Sequence, residues 1–404
     1  MSTTMKKTKR ILLIESGYKV KYPPLGLMKI STYHRQGGDK VVFYKGTNVE
    51  LRDQKWDIIY IATMFTYQWN ITIKTIKFYQ RNKYNKDIRV GGILASLLKD
   101  DVEKETGIKP HFGLYKEVDR LPPDYELSNN YYTNNASFGY MTRGCVNKCP
   151  YCAVPILEPE YVPYIPLKEQ VAPNKKDLIL LDNNILASPE FPKIIREIKK
   201  YGFYKGAKFN GKLRYIDFNQ GVDARLLTDE KMKLLSELAI KPLRIAFDHI
   251  ELKKLYIEKV RLAHKYGIRN LSNFILFNYN DTPEDFYKRL RINIELNEEL
   301  DLSIFSFPMK FVPLDAKDRK YIDKAHWTKQ QLRGIQCILH ATHGVVGPKR
   351  PFFEKAFGKD VEEFKYIIEQ PEEHIFHREK MREYGSQNLN DYGKEQVATS
   401  YNTV

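Results

Sequence analysis

Six short apolar segments, separated by stretches of helical periodicity, constrain the middle of this chain more than any other feature. They are residues 138–143, 177–184, 215–221, 243–250, 271–278 and 302–309. Strands joined by intervening helices run parallel, and six such β-α units predict a barrel that lacks two units of the usual eight. In parallel barrels the functional groups gather at the carboxyl ends of the strands. We therefore expect the functional site where these segments end.

A second alternation of strands and helices precedes the barrel. Strands are predicted at residues 10–16, 40–46, 56–63 and 88–96, and helices at 24–38 and 71–84. This order predicts a doubly wound parallel sheet. The complete prediction is an α/β chain with this sheet in residues 1–125, the partial barrel in 126–315, a helical extension in 316–385 and a disordered tail in 386–404.

The chain carries a formal net charge of +16, and more than half of the excess lies in the first 130 residues. The cationic residues are scattered there, which favours a solvated helix face over a phosphate-binding face. No run of about 18 apolar residues exists, and the first residues lack the features of a secretory signal. We expect a soluble, cytoplasmic protein with no membrane partner, in a compartment that keeps thiols reduced.

Three of the four cysteines, Cys145, Cys149 and Cys152, lie within eight positions in a C-x3-C-x2-C arrangement. Three thiolates at this spacing can bind three irons of a four-iron cluster and leave one iron open. A structural zinc site normally has four ligands, and no fourth cysteine or histidine is near, so zinc is disfavoured without being excluded. Burial as small apolar residues fits poorly with the polar residues of this segment.

The cysteine spacing, with an aromatic residue, Tyr151, just before the third cysteine, resembles the radical S-adenosylmethionine (SAM) superfamily. The resemblance covers residues 138 to about 315. It implies a [4Fe-4S] cluster whose open iron chelates SAM, and an electron transfer that cleaves SAM to a 5′-deoxyadenosyl radical. It also implies an external electron donor similar to flavodoxin or ferredoxin. The sequence assigns no catalytic residue for the step that follows.

The same resemblance assigns SAM-binding roles to polar residues near the strand ends. The predicted cofactor-binding residues are Tyr151, Asp182, Asn183, Gln220, Asp223, Arg225, Asp248 and Asn278. The backbone around Tyr151 is expected at the adenine, and Asp182 and Asn183 at the methionyl amino group. Helix N-capping is the alternative for Asp182 and Asn183. Arg225 can bind a carboxylate through two hydrogen bonds, and the alternative is an ion pair with Asp223 or Asp248.

Residues 22–44, 56–74 and 88–113 resemble the cobalamin-binding-type domain that precedes the barrel in one subgroup of this superfamily. The chain lacks the D-x-H-x-x-G signature whose histidine binds cobalt as the lower axial ligand. The nearest histidine, His34, lies in a predicted helix, and the segment expected to hold the tail of the cofactor is short. We expect the domain to keep the fold and to have lost cobalamin.

Three functions fit these features. The first is radical modification of a nucleic acid or nucleoside, suggested by the basic N-terminal part and by Lys349 and Arg350 beside Phe352 and Phe353, on which bases could stack. The second is modification of a peptide or small metabolite, methylation included. The third is a non-catalytic iron–sulfur scaffold or redox sensor. Cys337 is interpreted as a core residue, and no second cluster is expected because only this cysteine remains.

Overall fold

The structure is a computed structural model that describes residues 7–84 and 87–377. The tail predicted to be disordered, residues 386–404, lies outside the described residues, as does the end of the predicted extension. No helix within the described part of the chain is long and apolar enough to cross a membrane.

The first part of the chain is a four-stranded parallel sheet with helices on both faces. Its elements are β1 Arg10–Glu15, α1 Leu25–Gln36, β2 Lys40–Lys45, α2 Val49–Arg52, β3 Ile58–Thr63, α3 Trp69–Gln80, β4 Ile88–Gly92, α4 Ile93–Leu97, α5 Lys99–Thr106 and α6 Lys116–Asp119. The strand order is β2-β1-β3-β4. Because successive strand residues point to opposite faces, Leu12 and Ile14 pack with α3 while Ile11 and Leu13 pack with α1. This two-sided burial confirms the predicted doubly wound sheet.

The second part is a partial barrel of six parallel strands. Its elements, with a short hairpin β7–β8, are β5 Ala136–Gly139, α7 Val154–Leu157, β6 Asp177–Leu180, α8 Phe191–Lys200, β7 Lys208–Phe209, β8 Lys212–Leu213, β9 Ile216–Phe218, α9 Asp229–Ser236, β10 Leu243–Arg244, α10 Lys253–Lys265, β11 Asn270–Phe277, α11 Pro283–Leu300 and β12 Ser303–Lys310. Two sheets, β5-β6-β9 and β10-β11-β12, are joined by parallel bridges from Ile216 to Ile240 and from Val222 to Ile245. All six predicted strands are present, which confirms the partial barrel.

Four of these strands, β5, β6, β9 and β10, are shorter than predicted, and the hydrogen bonds around β5 and β10 show why. β5 ends at Gly139, because the backbone N–H groups that follow donate to the side chain of Asp182 rather than to a neighbouring strand. β10 covers only the first two residues of 243–250; Ile245 still forms a bridge to Val222, and beyond it the backbone carbonyls of Phe247 and Asp248 accept hydrogen bonds from Arg289. In both places a side chain takes the role of a strand partner, which the apolar pattern does not reveal.

The third part consists of helices packed against α11 and the end of the barrel. They are α12 Lys329–Ala341, α13 Arg350–Phe357, α14 Val361–Ile368 and α15 Glu372–His377. Cys337 is 5% exposed in this core, which confirms its interpretation as a core residue. Phe352 and Phe353 are 6% and 0% exposed, and Arg350 forms an ion pair with Glu298. The prediction that these rings form a stacking surface for bases is therefore wrong.

The N-terminal sheet and the barrel meet through residues that follow their strands. The Asn219 side chain, just after β9, donates to the Tyr22 hydroxyl at 2.8 Å. The Arg319 guanidinium, beyond β12, lies 4.4 Å from the centre of the Tyr67 ring, which follows β3. The carboxyl ends of strands from both parts are thus brought close to one another, where ligands of α/β proteins usually bind.

Candidate functional site

The three clustered cysteines lie in the loop between β5 and β6 and are half-buried. Arg143, 7% exposed, anchors this loop from below through ion pairs with Asp119 at 2.8 Å and Glu158 at 3.3 Å. Its guanidinium also stacks 3.9 Å from the centre of the Tyr140 ring. A buried arginine with two carboxylates and an aromatic partner is held in one position. It therefore fixes the backbone at the start of the loop, just before the first cysteine.

The glycine of the cysteine loop has a conformational reason. Gly144 has a φ of +71°, and a Cβ atom built on it would lie 2.3 Å from the carbonyl oxygen of Glu160. Its N–H donates to the Glu158 carboxylate at 2.9 Å. Only glycine combines this left-handed conformation with such a close backbone approach. The conformation of Gly144 thereby sets the direction in which the backbone enters Cys145.

The loop crosses the carboxyl ends of three barrel strands. The amide of Asn184, after β6, donates to Cys145 Sγ at 3.6 Å. Asn147 donates through its side chain to the Asp223 carboxylate, after β9, at 2.8 Å. The Tyr151 hydroxyl donates to the Asp248 carboxylate, after β10, at 3.2 Å. The predicted gathering of polar groups at the strand ends is present, and the cysteine loop is what they contact.

Burial and neighbouring acidic groups raise the pKa of two side chains in the cysteine loop. Burial, followed by the charges of Cys149 and Cys145, raises the pKa of the Cys152 thiol. Burial, with the neighbouring Asp248 and Cys149, also raises the pKa of the Tyr151 phenol. The two neighbouring sulfurs thus oppose ionisation of Cys152, and a bound cation would offset their effect.

Asp182 ties the end of β6 to the start of the cysteine loop. Its Oδ1 accepts hydrogen bonds from the backbone N–H of Met141 at 2.9 Å and from the Thr142 hydroxyl at 2.7 Å. It is 4% exposed, and burial raises its pKa to about 7 against the pull of these hydrogen bonds. The N-capping alternative is wrong for Asp182, since no helix begins with its side chain as cap. Asn183 instead contacts the Glu158 carboxylate, at 3.5 Å.

Two buried oxygens near the loop have no hydrogen-bond donor among the described residues, namely Asp182 Oδ2 and Asn184 Oδ1. Leaving such an atom unsatisfied costs about 1–3 kcal/mol. Both atoms therefore fit a ligand that carries N–H or O–H donors, and the amino group predicted to contact Asp182 is of this kind. Asn184 was not among the predicted cofactor-binding residues, because its contact with Cys145 depends on the fold.

Arg225 and Asp223 form the ion pair that was the alternative to carboxylate binding. The guanidinium donates to both Asp223 oxygens, at 2.8 and 2.9 Å, while about half of the Arg225 side chain stays exposed. Burial opposes ionisation of Asp223, but the hydrogen bonds from Arg225 and Asn147 prevail and lower its pKa. The pair lies next to the cysteine loop, so a role of Arg225 in binding SAM stays a prediction.

The remaining predicted residues lie at the rim or in the wall of the site. Gln220 is exposed after β9. Asn278 is fully buried, and its side-chain amide donates to the carbonyls of Phe311 and Tyr321, each at 3.3 Å, while Oδ1 accepts from the Asp323 N–H at 2.9 Å. These bonds attach the segment after β12 to the end of β11. The predicted contact of Asn278 with SAM stays a prediction.

Sequence reasoning missed a buried arginine that supports the site from behind. Arg289 of α11 is 0% exposed and pairs with Asp281 at 2.6 Å. It also donates to the backbone carbonyls of Asp248 and Leu276, both at 2.8 Å. It therefore fixes the ends of β10 and β11 in relation to each other. A charged residue in an amphipathic helix pattern is normally assigned to the surface, which is why no sequence signal marked it.

In the described residues, no group of three or more His, Cys, Asp or Glu side chains is placed to hold a single metal ion. A four-iron cluster makes a different demand, because each thiolate binds a different iron and the sulfur atoms stand farther apart than the ligands of one ion. The half-buried loop of thiols, with an amide donor on Cys145, fits such a cluster.

Comparison with known proteins gives a clear result only at the level of structure. No family model matches the chain, and no curated protein sequence matches it. The radical SAM methyltransferase TsrM from Kitasatospora setae, with cobalamin and a [4Fe-4S] cluster bound, matches with a TM-score of 0.57 at 14% identity, over 76% of this chain and 77% of that one. The same enzyme with tryptophan substrate and aza-SAM, a SAM analogue, matches with a TM-score of 0.56 at 14% identity, over 76% and 75%.

This likeness establishes the fold. Like TsrM, the chain folds as a doubly wound parallel sheet followed by a partial parallel barrel, which is the fold class predicted from the sequence. At 14% identity the likeness extends to the fold and not to the ligands of TsrM. What this chain binds has to be argued from its own residues.

Proposed function

We propose that this chain is a radical SAM enzyme that binds a [4Fe-4S] cluster through Cys145, Cys149 and Cys152. The observation that carries the proposal is the position of the cysteine loop across the carboxyl ends of β6, β9 and β10, with a hydrogen bond to a residue after each strand. A merely structural metal loop has no reason to contact the polar ends of three barrel strands.

The cluster, with SAM on its open iron, supplies a 5′-deoxyadenosyl radical for hydrogen abstraction when both are bound. The residues of the chain prepare this site. Arg143 and Gly144 orient the loop, and Asn184 donates to Cys145 Sγ, which helps to fix the position of this sulfur. If SAM binds there, the unpartnered oxygen of Asp182 would accept a hydrogen bond from its amino group, and the backbone around Tyr151 would lie at its adenine.

The chemistry requires a reducing compartment and an electron donor. Thiolates that must stay free to bind iron persist in the cytoplasm, where we place this protein. A flavodoxin- or ferredoxin-like protein would supply the electron.

The substrate we favour is a peptide or small metabolite. Nucleic-acid modification loses one of its two arguments because Phe352 and Phe353 are buried. Binding of transfer RNA measured at two salt concentrations tests this choice. A polyanion substrate would bind at low salt and lose affinity steeply as salt is added, whereas we expect no such binding.

The first test is SAM cleavage by the protein after anaerobic reconstitution with iron and sulfide. With dithionite as reductant, we expect wild type to release 5′-deoxyadenosine, detected by mass spectrometry, and Cys149→Ala to release none. Cys337→Ala is the matched control, since Cys337 lies in the helical core, and it should retain the cluster and the activity. S-adenosylhomocysteine is measured in the same samples to detect transfer of the methyl group instead.

Either product, lost in Cys149→Ala and kept in Cys337→Ala, supports an enzyme. An intact cluster that yields neither product with any candidate substrate would leave the iron–sulfur scaffold or redox sensor as the better function.

A second candidate function is methyl transfer that uses cobalamin. Three buried oxygens near the carboxyl edge of the N-terminal sheet have no hydrogen-bond donor within the described ranges: Glu15 Oε1, Gln68 Oε1 and Thr72 Oγ1. A ligand rich in amide N–H groups, such as cobalamin, fits these atoms. Against it stands the missing axial histidine, for His34 is buried between Asp39, at 2.7 Å, and the Tyr60 hydroxyl, at 3.1 Å.

Loss of cobalamin, expected from the sequence, therefore stays a prediction with a direct test. The protein is incubated with hydroxocobalamin and desalted, and the corrin absorbance is compared with the protein concentration. Stoichiometric retention that falls in Glu15→Ala would support the methyl-transfer function. Absence of corrin after desalting would support the loss.

A further inference from the structure

A cavity of about 470 Å³ lies between the end of the barrel and the helical extension. Its wall is apolar where Phe277 of β11 meets Leu332 and Leu339 of α12. Its remaining wall is cationic, and the charged lining residues are Lys310, Arg319, Lys320, Lys329 and Arg333. The volume lies within the range of about 300–1,000 Å³ that small-ligand pockets occupy.

The cationic groups of this pocket are crowded. Lys310, the last residue of β12, donates through Nζ to the carbonyl oxygen of Arg319 at 2.9 Å. Burial, and then the charge of Arg319, lower the pKa of Lys310. Lys329 is the first residue of α12, so it stands at the end of a helix that already carries a partial positive charge. A bound anion near Lys310 would favour the charged form of this lysine.

The carboxylates that pair with cationic residues of this pocket lie outside its lining. The lining residues, all of them in the described part of the chain, include no Asp or Glu. Outside the lining, Lys320 pairs with Asp318 at 3.5 Å, and Arg333 pairs with Glu372. Both of these pairs are largely exposed, so solvent screens them. Asp318 also acts on Lys310 and opposes the lowering of its pKa. The lining itself nevertheless consists of five cationic side chains, without a carboxylate, beside an apolar wall.

The pocket is connected to the cysteine loop by aromatic rings in contact. The Tyr151 ring lies 5.3 Å from that of Tyr279, which lies 4.5 Å from Phe311, which in turn lies 5.5 Å from Tyr321. Tyr321 stands in the chain between two pocket residues, Lys320 and Ile322. The pocket thus belongs to the same edge of the barrel as the cysteines, at its open side.

We propose that this pocket binds a small anionic molecule, one that carries a phosphate or carboxylate group on an apolar body. The anion would neutralise the charges around Lys310, and the apolar body would lie against Phe277 and the buried leucines of α12. A pocket walled by apolar residues with a few convergent polar groups is typical of such ligands. This inference goes beyond the radical chemistry, and its test has a separate readout.

The test is isothermal titration of the full-length protein with three probes of the same ring, phenyl phosphate, benzoate and phenol. We expect phenyl phosphate or benzoate to bind and phenol not to bind. Lys310→Met keeps the apolar stem of the side chain and removes the charge, and it should weaken binding about tenfold or more. Lys329→Met removes an exposed charge at the start of α12 and should weaken binding in the same direction without any risk to the core.

Lys208→Met, in the exposed hairpin β7–β8 away from the pocket, is the control for general loss of charge and should bind as wild type does. The relative affinity of phenyl phosphate and benzoate tells phosphate from carboxylate ligands. The proposal is overturned if phenol binds as well as the anions, or if binding survives both pocket substitutions unchanged. A single-stranded oligonucleotide that displaces phenyl phosphate and binds more tightly would overturn the small-molecule class. None of these outcomes depends on whether SAM is cleaved.

Discussion

Replacement of Arg289 by methionine should destabilise the protein more than any other single charge removal near the site. The side chain is 0% exposed, pairs with Asp281 at 2.6 Å, and donates to the carbonyls of Asp248, after β10, and Leu276, in β11. Removing one partner of a buried ion pair typically costs about 3–5 kcal/mol, because the other charge is left without compensation. Asp281 keeps hydrogen bonds from the Trp327 indole, at 3.1 Å, and from the Tyr279 N–H, at 3.0 Å, so we expect the lower half of that range.

The free energy of unfolding is measured by urea denaturation of the cluster-free full chain, with circular dichroism and tryptophan fluorescence as signals. Arg291→Met, two residues along α11, is the matched control: Arg291 is partly exposed and pairs with Glu295 and Glu354 at 3.4 and 3.5 Å. Exposed pairs contribute about 1 kcal/mol or less, so this variant should be close to wild type. The double variant Arg289→Met/Asp281→Asn should recover part of the loss, since it removes the stranded carboxylate.

The pH dependence of the stability of Arg289→Met can refute this account of the Arg289–Asp281 pair. Burial raises the pKa of Asp281, and the charge of Arg289 opposes this rise. Without Arg289 the pKa of Asp281 rises further above its unfolded value, so the folded variant binds a proton more readily than the unfolded chain. Its stability is then lost as the pH rises, and its deficit against wild type should shrink toward pH 5. A deficit below about 1 kcal/mol at pH 8, or one that does not change with pH, would refute this account of the pair.

Three further predictions concern single residues. The pKa of Asp182 is raised from 3.8 to about 7, so the stability of the folded state falls as the pH rises from about 4 to 7 and stays low above it. Asp182→Asn should therefore stabilise the cluster-free protein at pH 8 by up to about 4 kcal/mol in urea denaturation, and a destabilised variant would contradict this. A Cβ on Gly334 would lie 2.1 Å from the Ile368 carbonyl oxygen, so Gly334→Ala should cost about 1–3 kcal/mol, while Gly26→Ala in open space on α1 should gain about 0.5–1 kcal/mol. Asn184→Ala removes a donor to the first cysteine, so the reconstituted cluster should lose iron faster to a chelator; an unchanged rate would mean that this hydrogen bond does not support the thiolate.

The positions of the strands could be predicted because they depend on local pattern. A strand buried on both faces needs a run of apolar residues, and a crossover helix needs apolar residues every three or four positions. Both signals are contained in short stretches such as 10–16 and 271–278, and the strands Arg10–Glu15 and Asn270–Phe277 follow them closely. The cysteine spacing was equally local, and it gave the fold that the comparison with TsrM establishes.

Features that depend on a partner distant in the chain were predicted wrongly or not at all. Phe352 and Phe353 were predicted to be available beside two cations, but both are buried, and the Phe353 ring packs against Tyr287 of α11. Asn183 and Asn184 are indistinguishable as neighbours after β6, and only the direction of the backbone decides that Asn184 reaches Cys145.

The sequence by itself determined the parallel N-terminal sheet, the partial barrel, the order of their strands along the chain and the three thiols after the first barrel strand. The tertiary structure alone decided that Arg289 is buried, that Asp182 holds the cysteine loop, and that cations from β12, from the loop after it and from α12 surround one pocket. The physical reason is that apolar periodicity follows from neighbours in sequence, whereas burial of a charge depends on partners that only the folded chain brings within a few ångströms.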